Sequence, residues 1–255
     1  MVTQSRIQVK RDGGVVTLRM KSTRQLIAAG TPGGEIQSVH ESIGIVLEEL
    51  RPDSSVRVIV LTGAADDSEF HVAPPPENYV GKQVIDRLVK PEASFAMALG
   101  IIRANLAMAQ IEKPVVARVN GDASGFGQSL IFASDIIVAR KDALICDVHL
   151  GMGENKTSAG GRTGPRFGIS PGDGAGAWAP LFMAPPIAKE YLMLSRQYTA
   201  EEMAQRGMIN YAVEPADLDR KVNEIVQELL KRPAAALAWT KRVANTHVIQ
   251  SIRYS

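Results

Sequence analysis

Three features of this 255-residue chain predict an α/β fold with a helical C-terminal part. Residues 56–61 form a nearly continuous apolar run closed by Thr62-Gly63, as expected of a strand buried on both faces. Residues 35–50 place Ile36, Val39, Ile43, Val46, Leu47 and Leu50 on one helical stripe. Strand and helix signals then alternate without the fixed spacing of a repeat array or a heptad.

Taken in order, 7–9 and 15–20 read as two strands of a hairpin joined across Asp12-Gly13-Gly14. After the helix over 35–50 and the strand over 56–61, residues 68–79 read as irregular. Pro74, Pro75 and Pro76 there forbid both helix and central strand. A second helix over 95–111 stops ahead of Pro114, and a strand over 115–119 runs into the glycine-rich turn of residues 120–127. A helix is expected from that turn to about Ala133, followed by short strands over 136–139 and 143–146. The stretch 151–168, rich in Gly, Ser and Thr, reads as a long loop within the chain, because the apolar pattern resumes on both sides. Thr199-Ala200-Glu201-Glu202 is a capping box whose helix Gly207 would stop, and 218–230 and 233–247 supply two more helices. The organisation expected is a core over 1–195 that holds the active site and a shortened helical region over 196–255.

Composition narrows the function classes. With 45% hydrophobic and 22% charged residues the chain is of ordinary globular composition. A formal charge of +2, with no long Lys/Arg run, gives no nucleic-acid signal. The polar start of the chain and the lack of a long apolar stretch predict no signal peptide and no membrane span. The single cysteine, Cys146, excludes an internal disulfide framework and fits a reducing compartment, so a cytoplasmic location is expected.

The candidate chemistry centres on Asp147-Val148-His149, at the end of an apolar run, and on Pro171-Gly172-Asp173-Gly174, at the next tight turn. A carboxylate that holds one ring nitrogen of a histidine fixes its tautomer and makes the other nitrogen a better base. A plain structural histidine and an aspartate satisfying a turn are the alternatives. Asp147 would share a face with His149 on an alternating strand and is a further candidate, against a solvated loop-edge aspartate. His71, in the proline-rich segment, either reaches the pocket or is an exposed loop histidine. Lys156, Arg162 and Arg166 make 151–168 either a lid for an anionic substrate or an insertion with solvated charges. Trp178 and Trp239 read as packing residues. Nothing around Ser124 resembles a nucleophile elbow, which argues against a Ser124–His149–Asp173 triad.

An ordered set of motifs carries a family resemblance. It comprises Arg11-Asp12-Gly13-Gly14-Val15, Leu61-Thr62-Gly63, the run from Lys113-Pro114 to Asn120-Gly121, Ser134-Asp135-Ile136-Ile137, the Pro-Gly-Asp-Gly turn and Gly207-Met208-Ile209-Asn210. Over about residues 5 to 245 the chain resembles the crotonase (enoyl-CoA hydratase/isomerase) superfamily, and within it most the β-diketone hydrolases of the oxocamphor hydrolase type. The resemblance implies a crotonase-like spiral of ββα units with a helical C-terminal region, and homotrimers that often pair into hexamers.

It also implies site residues. Crotonases polarise a thioester carbonyl with two backbone N–H groups. Phe126 falls on one of these positions. The other falls on Pro74, which has no N–H, or, with a one-residue slip, on Ala73. Losing one donor costs roughly 2.7–4 kcal/mol of transition-state stabilisation. The positions of the two hydratase glutamates carry Ser129 and His149, and a serine hydroxyl cannot replace a carboxylate in adding water across an enoyl double bond. No Lys or Arg stands near 74–78 to meet CoA phosphates, Lys82 being the nearest.

His149 and Asp173 match instead the dyad of the β-diketone hydrolases, while the tryptophan of their pocket is replaced by Ala28 and their late glutamate lies beyond Ser255. The activity implied is hydrolysis of a carbon–carbon bond in a cyclic or β-dicarbonyl compound, with no metal or organic cofactor and only a small-molecule substrate as partner. Chemistry on an acyl-CoA thioester, as a lyase, isomerase or thioesterase, is the first alternative. A catalytically inactive binding protein on the same fold is the second.

Overall fold

The computed structural model describes residues 6–22, 39–73, 91–151, 155–164 and 168–254. Strands β1 (Ile7–Asp12) and β2 (Val15–Met20) pair antiparallel across a two-residue turn, with Asp12 opposite Val15. Helix α1 (Val39–Leu50) buries Val39, Ile43, Leu47 and Leu50 along the expected stripe; the residues expected to precede it, 35–38, lie outside those described. Next come β3 (Val58–Thr62), β4 (Glu69–His71), α2 (Pro91–Gln110), β5 (Val115–Val119), β6 (Asp122–Ser124) and α3 (Phe126–Phe132). They are followed by β7 (Ile136–Arg140), β8 (Leu144–Cys146), α4 (Ala175–Phe182), α5 (Pro185–Met193) and β9 (Gln197–Thr199). The chain finishes with α6 (Ala200–Gln205), β10 (Tyr211–Val213), α7 (Leu218–Leu230), α8 (Ala234–Ala244) and α9 (Thr246–Tyr254).

From β3 to β8, successive strands alternate between two sheets. The larger runs β1-β2-β3-β5-β7-β10 and is parallel from β2 onward; the smaller runs β4-β6-β8-β9. Each turn of the chain lays one strand in each sheet, and helices α2 and α3 close the turns that begin at β3 and β5. The central strands β3, β5 and β7 of the larger sheet are buried on both faces, and the two-residue period sorts their side chains. Ile59, Leu61, Val115, Ala117, Ile137 and Ala139 face the main core, while Val58, Val60, Val116 and Val138 meet Leu218, Val222, Ile225 and Val226 of α7. β9 and β10, although they follow residue 195, complete the two sheets.

Several expectations are corrected. Residues 69–71 are a strand, because β4 gains a parallel partner in β6. The glycine-rich turn itself holds β6, whose three residues are too few to show a period. The helix expected over 233–247 is two helices, since Asn245 ends α8 and its side-chain amide donates to the Ala109 carbonyl at 3.0 Å. Trp178 is buried and donates from Nε1 to Asn105 at 2.7 Å, whereas Trp239 is 66% exposed and packs no core.

Candidate active site

The parallel strands β4, β6 and β8 of the smaller sheet end side by side, with His71 opposite Ala123 and Ser124 opposite Cys146. The residues that leave them are therefore neighbours: Val72-Ala73 after β4, Gly125-Phe126 after β6 and Asp147-Val148-His149 after β8. Two glycines make this convergence possible. Gly125 has φ +56°, and a Cβ there would stand 3.6 Å from Asp173 Oδ2 and 3.7 Å from the Ala73 methyl. A Cβ on Gly127 would lie 2.2 Å from the His71 carbonyl oxygen, so only glycine lets α3 rest on β4.

His149 lies between two carboxylates. Asp147 folds back on it, accepting from the His149 backbone N–H at 3.1 Å and meeting ring Nδ1 at 3.0 and 3.1 Å. Asp173 Oδ2 stands 3.4 Å from Nε2 on the other side. The Asp147 side chain is fully buried and that of His149 is 13% exposed, so water screens this pair weakly. Burial alone pushes the imidazole down, but the Asp147 hydrogen bond and the charges of Asp173 and Asp147 outweigh it and raise His149 to about 9. Asp173 is itself pushed up by burial, against the pull of His149. Ser129, where the resemblance places a hydratase glutamate, sits behind the aspartate and donates to Asp173 Oδ1 at 2.8 Å. Asn105 holds the Asp173 carbonyl oxygen at 3.0 Å.

The donor atoms of Asp147, His149 and Asp173 lie within 4.8 Å of one another, a spacing a metal ion could use. With Nδ1 engaged by Asp147, Nε2 and Asp173 are the ligands that remain among the described residues, fewer than the three or four protein ligands of a tight site.

The two amides expected to face a carbonyl differ. Phe126 is the first residue of α3, where a backbone N–H has no partner inside its own helix, and no acceptor meets it among the described residues. The Ala73 N–H is committed, donating to Ser124 Oγ at 2.8 Å. Ala28, Pro74 and Lys82 lie outside the described residues.

His71 is buried on β4, not exposed in a loop, and burial together with Arg6 lowers it to about 4. His40 is the residue that sequence reasoning missed. Its ring packs on Phe126 at 4.0 Å between centroids, and burial with the charges of His71 and His149 lowers it to about 3. Three of the four histidines thus lie close enough to feel one another's charge. Position in the first turn of α1 gave no local signal of it. Cys146 is buried, and burial pushes its thiol up to about 12, away from the thiolate a nucleophile needs.

Comparison with known proteins agrees with this architecture. An enoyl-CoA hydratase/isomerase family model matches residues 36–252. A short-chain-enoyl-CoA hydratase of Clostridium acetobutylicum is 25% identical over 202 residues, covering 78% of this chain and 68% of that protein. A carnitinyl-CoA dehydratase of Escherichia coli is 29% identical over 204 residues, covering 80% and 69%. The structure of an enoyl-CoA hydratase/isomerase from Mycobacterium paratuberculosis superposes with a TM-score of 0.79 at 23% identity, over 100% of this chain and 90% of that one. A β-diketone hydrolase from the cyanobacterium Anabaena, bound to (S)-3-oxocyclohexyl acetic acid, gives 0.75 at 20% identity over 98% and 89%. At these identities the structural matches show the shared crotonase fold and nothing finer. The family match spans most of the chain and the alternating sheets have the matching architecture: the protein belongs to the enoyl-CoA hydratase/isomerase family.

Proposed function

We propose that the protein hydrolyses a carbon–carbon bond flanked by two carbonyl groups in a cyclic or β-dicarbonyl compound. The observation that carries this reading is the imidazole of His149, held at Nδ1 by buried Asp147 and presenting Nε2 beside Asp173. In its neutral form Nε2 takes a proton from water, and the hydroxide adds to one carbonyl carbon. The alkoxide formed is stabilised by the Phe126 N–H, and the imidazolium by the two aspartates. The adduct collapses by breaking the bond to the α-carbon. Its electron pair is delocalised as an enolate onto the second carbonyl, and the proton on Nε2 is delivered to that carbon. One water is consumed, and a keto acid leaves. No cofactor enters this sequence.

A panel of cyclic 1,3-diketones, followed by loss of enolate absorbance, tests the reading. Turnover by the wild type with a loss of at least about a hundredfold in His149→Ala is expected. Turnover that His149→Ala leaves intact, or an inert wild type across the panel, refutes it for those substrates.

The second reading is chemistry on an acyl-CoA thioester, favoured by the names of the hydratase and dehydratase relatives. Against it stand Ser129 and His149 at the positions the resemblance assigns to glutamates, and the committed Ala73 amide. Micromolar affinity for CoA esters would favour it. In both readings the chain assembles as a trimer or a pair of trimers, which sedimentation would measure.

A further inference from the structure

Residues 155–164, in the segment that separates His149 from Asp173, form a small hairpin fixed to the smaller sheet. Lys156 bridges Arg162, and the Thr157 N–H donates to the Gly161 carbonyl at 2.9 Å. Asp122 at the start of β6 accepts from the Ser158 N–H at 2.6 Å and from its hydroxyl at 2.9 Å, and Asn155 donates to the Ser195 carbonyl at 3.1 Å. The returning arm carries Thr163 into the interior, where it is 2% exposed.

There Thr163 closes a ring of hydrogen bonds. The Ala73 N–H donates to Ser124 Oγ at 2.8 Å, Ser124 Oγ and Thr163 Oγ1 are 2.8 Å apart, and Thr163 Oγ1 donates to the Ala73 carbonyl at 2.9 Å. The direction is forced. A carbonyl only accepts, so the Thr163 proton goes to Ala73 and the Ser124 proton goes to Thr163. The Ser124 oxygen is thereby left to receive the Ala73 amide. Both hydroxyls spend their protons inside the ring, and the Ala73 methyl lies in a small apolar cluster with Cys146 and Val148, beside Gly125.

We propose that Thr163 and Ser124 are specificity-determining positioning residues that withhold the Ala73 amide from substrate. Among the described residues the site then offers one of the two expected backbone N–H groups, that of Phe126, beside an imidazole. This suits a dicarbonyl whose negative charge the second carbonyl delocalises, and it disfavours an acyl thioester, which relies on two amides. The inference rests on the dicarbonyl reading above, but its test does not.

The affinities of wild type, Ser124→Ala, Thr163→Val and Thr163→Ser are measured for acetoacetyl-CoA and for 1,3-cyclohexanedione. Amide exchange is followed by mass spectrometry on a peptide containing Ala73. Wild type should show slow exchange there, unchanged by acetoacetyl-CoA. Ser124→Ala should speed the exchange and shift the ratio of thioester to diketone affinity at least tenfold toward the thioester. Thr163→Val should shift it in the same direction, and Thr163→Ser should restore the wild-type ratio. A folded Ser124→Ala with faster exchange and an unaltered ratio overturns the proposal. If Ser124→Ala does not fold, wild type decides alone: fast exchange at Ala73, or protection gained on adding acetoacetyl-CoA, overturns it, and slow unresponsive exchange supports it. If neither wild type nor any variant binds or cleaves the diketone, the dicarbonyl reading fails for that substrate. The acetoacetyl-CoA affinities and the exchange at Ala73 still decide what the ring does.

Discussion

The most consequential contact at the scale of single residues is between two neighbours in sequence, Asp147 and His149. Because Asp147 engages both the backbone and Nδ1 of His149, it fixes ring and tautomer together. Replacing it with Asn removes the charge that helps to raise the imidazole. With His149 at about 9, the rate of diketone cleavage in the wild type should climb with pH through that value, since the neutral ring is the base. In Asp147→Asn the midpoint should move to lower pH while the plateau falls by about 10²–10⁴-fold, read from kcat/KM profiles. Stability has its own sign. A folded pKa above the unfolded value of about 6.5 gives a contribution fully present below pH 6.5. It is lost as pH rises through about 9, so the urea midpoint should fall between pH 6.5 and 10, and fall less in His149→Ala.

Among the elements, α3 and β4 are coupled through a backbone contact that admits no side chain. Gly127→Ala would drive a methyl into the His71 carbonyl oxygen, 2.2 Å away in the present geometry. The expected cost is about 1–3 kcal/mol, measured by chemical denaturation, with a larger loss of activity than of fold because Phe126 moves with the helix. The capping box of α6 was legible from sequence, and both of its reciprocal bonds are formed. The long helices α1 and α7 were equally legible, because a stripe repeated over three turns outweighs local noise. β4 and β6 were not. Three-residue strands carry no period, and they exist only because the stacked turns of the chain supply their partners.

At the scale of the whole molecule, a largely buried ion pair joins the C-terminal helices to the larger sheet. Lys241 of α8 reaches Asp135 at 2.7 Å and the Lys113 carbonyl at 3.2 Å, and Asp135 also accepts from the Val115 N–H at 2.7 Å. Burial pushes Asp135 up while Lys241 pulls it down. Lys241→Met would strand this carboxylate, and a loss of about 3–5 kcal/mol is expected from denaturant unfolding. Asp135→Asn combined with Lys241→Met should recover much of it, since no uncompensated charge remains. No described helix is long and apolar enough to cross a membrane, in line with the composition.

The sequence by itself determined the alternation of strands and helices, the first hairpin, the α6 cap and the two-residue spacing that lets Asp147 grip His149. These are set by hydrophobic period, turn chemistry and chain connectivity, all of which act over a few residues. Only the tertiary structure decided that Ser129 backs Asp173, that His40 packs on Phe126 and that Thr163 closes a ring on Ala73. Those contacts join segments far apart in the chain, and their geometry comes from how the two sheets stack, which no local pattern encodes.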